Sequence, residues 1–354
     1  MRQIDATNSL YEPNYENYEA ESALDFIEWI RLSHSRWDWP SEPMDRILGV
    51  EGRWYFRGQA NSEWKLIPSA WRFAIEGEKK SLNEILLENV KNAVSFIDNT
   101  FGGYKDGIGK PTSEQSRLRF TVLQIVAELA IVKEFITFAD RIGITVPTTH
   151  IPTLDWNTVD RIGVDLRFGE NEPLLYRTIW SDPAIALAQH HQIPTRLLDW
   201  TFNPLVAAYF AVAEAIENQN QNGHIALYAL HSSYCKQDHI EVVSVKRTEN
   251  TYLGAQDGVF IVNRGARLKH SSQPDVWYGA DRFYMRHGYY PDLMSSLKHH
   301  ESPTSCPPPR RILLRISQGA ELLRLLKQEQ ISRAHLMPTL DNVAQTVKES
   351  WHLY

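Results

Sequence analysis

Apolar positions along this chain switch repeatedly between helical and strand spacing. Leu24, Phe26, Ile27 and Ile30 recur at helical intervals within 22–32. Residues 81–99 place Leu82, Ile85, Leu86, Val90, Ala93, Val94 and Ile97 on one face of a second helix. A longer helix over about 114–142 carries Leu118, Val122, Ile125, Val126, Leu129, Val132 and Ile136. Its apolar surface covers more than one face, so it is expected to be buried or to pair with a second copy. Strand-like runs fall at 53–57, 196–200, 223–230, 240–245, 259–262 and 311–316, and two helices close the chain at 319–330 and 342–351. Residues 1–20 are polar and are expected as a loose arm. Residues 143–180 read as irregular. Residues 263–310 read as a polar loop insertion broken by Pro274, Pro291, Pro303 and Pro307 to Pro309.

The stretch from Leu187 to Ala211 holds the densest set of signals. Asp182-Pro183 opens a short apolar helix, since Asp caps the free amides and Pro suits the first turn. Pro194 requires that helix to have ended by Ile193. Arg196 to Trp200 then reads as a buried strand, and Asn203-Pro204 repeats the opening signal before a second apolar helix. The strand thus runs into a helix N-terminus, with Asp199, Thr201 and Asn203 at the junction. Free amides and the positive dipole end suit such a junction to an anion. The other reading is local: Thr201 and Asn203 cap the helix, and Asp199 satisfies nearby amides.

These residues resemble a known family. Phe56-Arg57-Gly58, then Gln189-His190, Pro194 to Thr201, Asn203-Pro204 and Ala208 to Ala211, is similar to the FRG domain. Ala255-Gln256-Asp257-Gly258-Val259-Phe260 looks like a third block of that family, and Leu336 to Asp341 like its ending. The resemblance spans about 54–347. The order of blocks also resembles the Arg-fingerprint ADP-ribosyltransferases. There an aromatic-Arg-Gly strand comes first, a Ser-Thr-Ser-like strand and helix second, and a Gln/Glu-x-Glu strand third. Gly258 stands where the third block would carry its catalytic Glu.

The transferase likeness implies NAD as ligand and substrate. Arg57, Thr201 and Gln256 would be the catalytic set. Arg57, Gly58, Gln59, His190, Arg196, Asp199 and Asn203 would line the nucleotide site. Arg57 has the planar fork of donors that matches a diphosphate, and it also suits a structural ion pair. Gln256 can bond a ribose hydroxyl but carries no charge to stabilise an oxocarbenium-like ribose.

Composition narrows the alternatives. A net charge of −6 gives no global basic field for nucleic acid, so a nucleic-acid acceptor is not indicated. Two cysteines, Cys235 and Cys306, offer neither a disulfide framework nor a zinc pattern, and a reduced, cytoplasmic setting is the expectation. Adjacent His190 and His191 point about 100° apart on a helix, so no metal site is expected. His299-His300-Glu301 reads as solvated loop. Residues 102–109 lack the Gly-Lys-Ser/Thr ending of a phosphate loop. The most apolar window, 120–138, is interrupted by Gln124, Glu128, Lys133 and Glu134, so no membrane span is expected.

The expected fold is α+β. A mainly antiparallel, split-sheet core resembling ADP-ribosyltransferases would be built from 50–75 and 180–350. An N-terminal arm and helix over 1–49 would precede it, and a helical insertion at about 76–180 would interrupt it. Two functions remain open. One is a nucleotide-binding, ADP-ribosyltransferase-like FRG protein, of the kind used as a bacterial toxin or defence effector. The other is a catalytically inert module that binds a protein partner through the same pocket or the helical insertion, with the 114–142 helix as the surface for a partner or a second copy.

Overall fold

The computed structural model describes residues 1–4, 15–38, 52–72, 82–101, 113–149, 151, 154–155, 180, 182–218, 222–236, 240–243, 245, 251–263, 293–296 and 307–352. The glycine-rich turn at 102–109, most of the 263–310 insertion, Cys306 and His299-His300-Glu301 lie outside the described residues.

Eight strands form one mixed sheet: β1 (Arg2–Ile4), β2 (Glu16–Glu19), β3 (Trp54–Gln59), β4 (Leu198–Thr201), β5 (His224–His231), β6 (Ile240–Val243), β7 (Gly258–Asn263) and β8 (Arg310–Arg315). Their order is β1-β2-β8-β5-β3-β4-β7-β6. The β2–β8 pair is parallel and the other neighbours are antiparallel. The α+β expectation therefore stands, with a sheet that is mixed rather than purely antiparallel. Residues 2–4 and 16–19, expected as loose chain, are the last two strands at one end of the sheet. Short polar runs such as Glu16-Asn-Tyr-Glu19 carry too little apolar alternation to announce a strand.

The sheet is continuous but nearly divided. β3 and β5 pair over six positions, whereas β3 and β4 meet at one, Phe56 opposite Thr201. Residues 56 and 201 thus hold two half-sheets together.

Cross-strand partners share a face of a sheet, and neighbours along a strand alternate. Trp54, Phe56, Leu227, Ala229, Ile312 and Leu314 accordingly face one core with helices α1 (Ala23–Ile30), α5 (Pro204–Glu217) and α8 (Gly319–Gln328). α2 (Leu82–Phe101), α3 (Ser113–Arg141) and α4 (Pro183–His190) lie towards the other half. There Phe260, Val262 and Val243 pack with Val122, Ile125, Leu129 and Val132 of α3 and Ala184, Ile185 and Ala188 of α4. The described part of the α3 stripe, from Val122 to Ile136, is thereby covered within the chain. Tyr55, Leu198, Trp200, Val259 and Ile261 form a third cluster on the opposite face. The remaining described helices are α6 (Thr251–Ala255), α7 (Leu293–Ser296), α9 (Arg333–Leu336) and α10 (Leu340–His352).

The local signals work as their chemistry requires. Asp182 Oδ1 accepts from Ala184 N at 2.8 Å and caps α4, with Pro183 in the first turn. Asn203 Oδ1 accepts from Leu205 N at 2.9 Å and caps α5, with Pro204 following. α4 ends at His191, and Gln192 turns the chain at φ 64°.

Gly58 explains how α5 reaches the sheet. A Cβ on Gly58 would lie 2.0 Å from the Ala207 carbonyl oxygen and 2.9 Å from the Ala211 Cβ. Only a residue without a side chain permits this approach.

Candidate functional site

Continuing the antiparallel register from Phe56–Thr201 would set Gly58 opposite Asp199. The strands part instead, and Arg57 closes the gap. Its Nη1 donates to the Asp199 carbonyl oxygen at 2.7 Å. The same nitrogen is 3.8 Å from the Asp199 carboxylate. Arg57 is 13 % exposed at the side chain, whereas Asp199 is 66 % exposed. Among the described residues Arg57 Nε, though buried, has no hydrogen-bond partner. Burial pushes the Arg57 guanidinium below its usual value; Asp199 opposes that, Arg72 adds to it, and Glu214 opposes it again. A desolvated cation with an unused donor is a strong attractor for an anion.

Glu214, on α5, lies within electrostatic range of Arg57 and Arg72. Burial raises its carboxyl above the usual range, and Arg57 and then Arg72 pull it back down. The signal for Glu214 is legible in hindsight: it is the one charged residue between Pro204 and Ile216 of an otherwise apolar helix. Arg72 and Gln189 are further members that did not enter the sequence-based set. Gln189 Nε2 donates to the Asp199 carboxylate at 2.7 Å, and Gln189 Oε1 accepts from the Thr195 hydroxyl.

Thr201 and Gln256 come together beside this point, through backbone. The Thr201 hydroxyl donates to the Gln256 carbonyl at 2.7 Å and accepts from Asn203 N at 3.0 Å. The Gln256 side chain donates to the Leu336 carbonyl at 3.3 Å. These groups fix the β4–α5 turn to the α6–β7 turn. Asn203 spends its side-chain oxygen on the helix cap.

Three expected members are placed as framework. Arg196 is buried, with its guanidinium on Glu128 at 2.8 and 3.1 Å. Trp180 and Trp71 lie 4.0 and 5.4 Å from its Cζ. It therefore ties α3 to the strand and does not reach the seam. The Trp71 ring serves this pair, its Nε1 donating to Glu128 at 3.3 Å. Gln59 is buried and donates to the Trp64 carbonyl at 2.9 Å. Gly58 is covered by α5.

His190 stacks on Tyr252 at 4.0 Å between ring centroids. Burial lowers its pKa, His191 adds to this, and Asp199 opposes it. Burial thus disfavours its protonated form, an effect that Asp199 partly offsets. Gly258, at the position where the third motif lacks its acid, is a packing position: a Cβ there would lie 2.6 Å from Leu253 Cδ1. Among the described residues no cluster of His, Cys, Asp and Glu is placed to hold a metal ion. No described helix is long and apolar enough to cross a membrane.

Comparison with known proteins gives one match. Residues 169–220 match the FRG domain model, an interval that contains α4, β4 and α5. No curated protein and no solved structure matches the chain. The matched interval supplies Gln189, His190, Asp199, Thr201 and Glu214, one wall of the seam, while Arg57 enters from outside it. The seam is therefore built on the segment that matches the FRG domain model.

Proposed function

We propose that the seam between β3 and β4 binds a nucleotide of the NAD type, with Arg57 holding the diphosphate. The observation that carries this reading is the Arg57 guanidinium. It is largely buried, braced by the Asp199 carbonyl at 2.7 Å, and its Nε has no hydrogen-bond partner among the described residues. A bound phosphate oxygen would satisfy that donor and offset the desolvation of the cation. Asp199, Gln189 and Glu214 then offer acceptors and donors for ribose hydroxyls.

ADP-ribosyl transfer is the chemistry this arrangement would serve. The bond from ribose C1′ to the nicotinamide nitrogen breaks, and nicotinamide leaves with the electron pair. An acceptor then bonds to C1′ and gives up its proton. A carboxylate is needed beside the cationic ribose. Gly258 carries no carboxylate, so Asp199 or Glu214 would take that part.

The test is calorimetric titration of NAD into the wild type, Arg57→Lys and Arg57→Ala, followed by a nicotinamide-release assay. Binding lost in Arg57→Ala and weakened in the folded Arg57→Lys variant supports the site. Absence of binding to the wild type overturns it. Binding without nicotinamide release would make the protein a nucleotide sensor.

A second reading rests on a separate observation. α2 exposes Leu82, Ile85 and Phe96, and α3 exposes Phe138. An inert module that engages a protein through this helix pair would bind its partner equally well after Arg57→Ala.

A further inference from the structure

Helix α10 is amphipathic with its sides reversed. Its polar side faces the protein. Thr346 Oγ1 accepts from Ala334 N at 3.0 Å, and Asn342 Nδ2 donates to the Met337 carbonyl at 2.9 Å. Lys327 Nζ donates to Ser350 Oγ at 2.7 Å, and Arg333 Nε donates to Glu349 at 2.8 Å. These bonds fix the helix rotation. Its apolar side is left outward: Leu340 is 87 % exposed, Val343 45 %, Val347 51 % and Trp351 79 %. Single exposed apolar residues are ordinary on a protein surface. A row at i, i+3, i+7 and i+11 on one helix face is a contact surface without its partner.

We propose that the occupant is a second copy of this chain, packed with α10 antiparallel to its own α10 about a two-fold axis. Charge placement selects this arrangement. Asp341 and Lys348, both exposed, lie along the same edge of the apolar row. They are two turns apart, about 10.5 Å along the axis. In an antiparallel pair the same edge of each helix meets its equivalent running the other way. Asp341 then faces Lys348 of the partner subunit, and the contact repeats by symmetry. In a parallel pair that edge would meet the side of Val343 and Ser350, and both charges would go unpaired. A lipid surface fits less well. Helices that lie in a membrane interface carry a polar face rich in Lys and Arg, whereas the polar face here is bonded to the protein and the row is edged by one charge of each sign.

The contact is short, so the dimer sits at or below the low end of stable interfaces, roughly 1,200 Å². It should be reversible with concentration. The experiment is sedimentation velocity of the full chain from low to high micromolar, with circular dichroism to verify folding. The wild type is expected to pass from monomer to dimer. Val347→Glu should remain monomeric throughout. Asp341→Lys and Lys348→Glu should each weaken the dimer on the order of tenfold, and the double reversal Asp341→Lys/Lys348→Glu should recover most of the loss. A wild type that stays monomeric overturns the proposal. So does a dimer indifferent to Val347→Glu, or a double reversal no better than the single ones.

Discussion

Arg57 Nη1 donates to the Asp199 carbonyl oxygen at 2.7 Å, across the point where β3 and β4 part. A side chain thus replaces the ladder hydrogen bond that a regular sheet would make there. The strand supplies the position, the seam supplies the burial, and the guanidinium gains a rigid brace on one side, with its Nε unpartnered among the described residues. Removing it should cost stability as well as binding. Arg57→Ala is expected to lower the unfolding free energy by about 1.5–3 kcal/mol, because a hydrogen bond from a charged group across the parting strands is lost. Asp199→Asn, which keeps that carbonyl and changes an exposed group, should be within about 0.5 kcal/mol of wild type. Urea unfolding of both variants checks the contrast.

Gly58 makes a sharper prediction. The Ala207 carbonyl oxygen lies 2.0 Å from where a Cβ would stand, and that neighbour is backbone of a helix buried against the sheet. Gly58→Ala should destabilise by about 3 kcal/mol or more, the upper end for overpacking. A near-neutral variant would mean that α5 does not sit where the structure places it.

The Arg196–Glu128 pair separates framework from site. Both side chains are almost fully buried, at 1 % and 2 % exposure. Losing one partner strands a charge, so Glu128→Gln or Arg196→Met alone should cost about 3–5 kcal/mol. The double Arg196→Met/Glu128→Leu should recover a large part of that loss. Nucleotide affinity in the double variant should stay near wild type. A specific loss of NAD binding in this folded double variant would return Arg196 to the site.

His190 gives the chain a pH dependence of known sign. Its folded pKa lies below the unfolded value of about 6.5. As pH falls through 6.5, the unfolded chain takes up a proton that the folded one resists. Stability therefore falls with pH in that window. Thermal melts between about pH 7.5 and about pH 5.5 should show the loss, and His190→Phe, which keeps a ring against Tyr252, should reduce the slope. An unchanged slope would assign the acid sensitivity to other groups.

Thr201 is expected to matter through structure before chemistry. Its hydroxyl bonds the Gln256 carbonyl and the Asn203 amide, so Thr201→Val leaves both unpartnered. A loss of about 1–3 kcal/mol is expected in chemical unfolding. If Thr201→Val were as stable as wild type yet lost NAD binding, the hydroxyl would belong to the ligand.

Much of this molecule is legible from residue order, because the signals are local. Asp182-Pro183 and Asn203-Pro204 start α4 and α5 by satisfying amides within two residues of themselves. The apolar rows of α1 and α3 name the faces that become buried. Val259 to Val262 reads as a strand whichever neighbour it finds. The Phe-Arg-Gly and Gln256 blocks pointed to one region, and Arg57, Asp199 and Thr201 do meet there.

What tertiary structure decided is which polar groups were left over. Arg57 and Arg196 look alike as arginines in strand-like runs. One meets Glu128 from a helix 68 residues earlier and is satisfied; the other meets a backbone carbonyl and, among the described residues, leaves its Nε unpartnered. Glu214 and Arg72 joined the seam only through the way α5 and the segment after β3 pack. The outward apolar side of α10 depends likewise on Arg333, Lys327 and Ala334 capturing its polar side. Capping and periodicity act over a few residues and can be read along the chain. The satisfaction of a buried charge depends on partners brought from far away, and only the folded chain determines those.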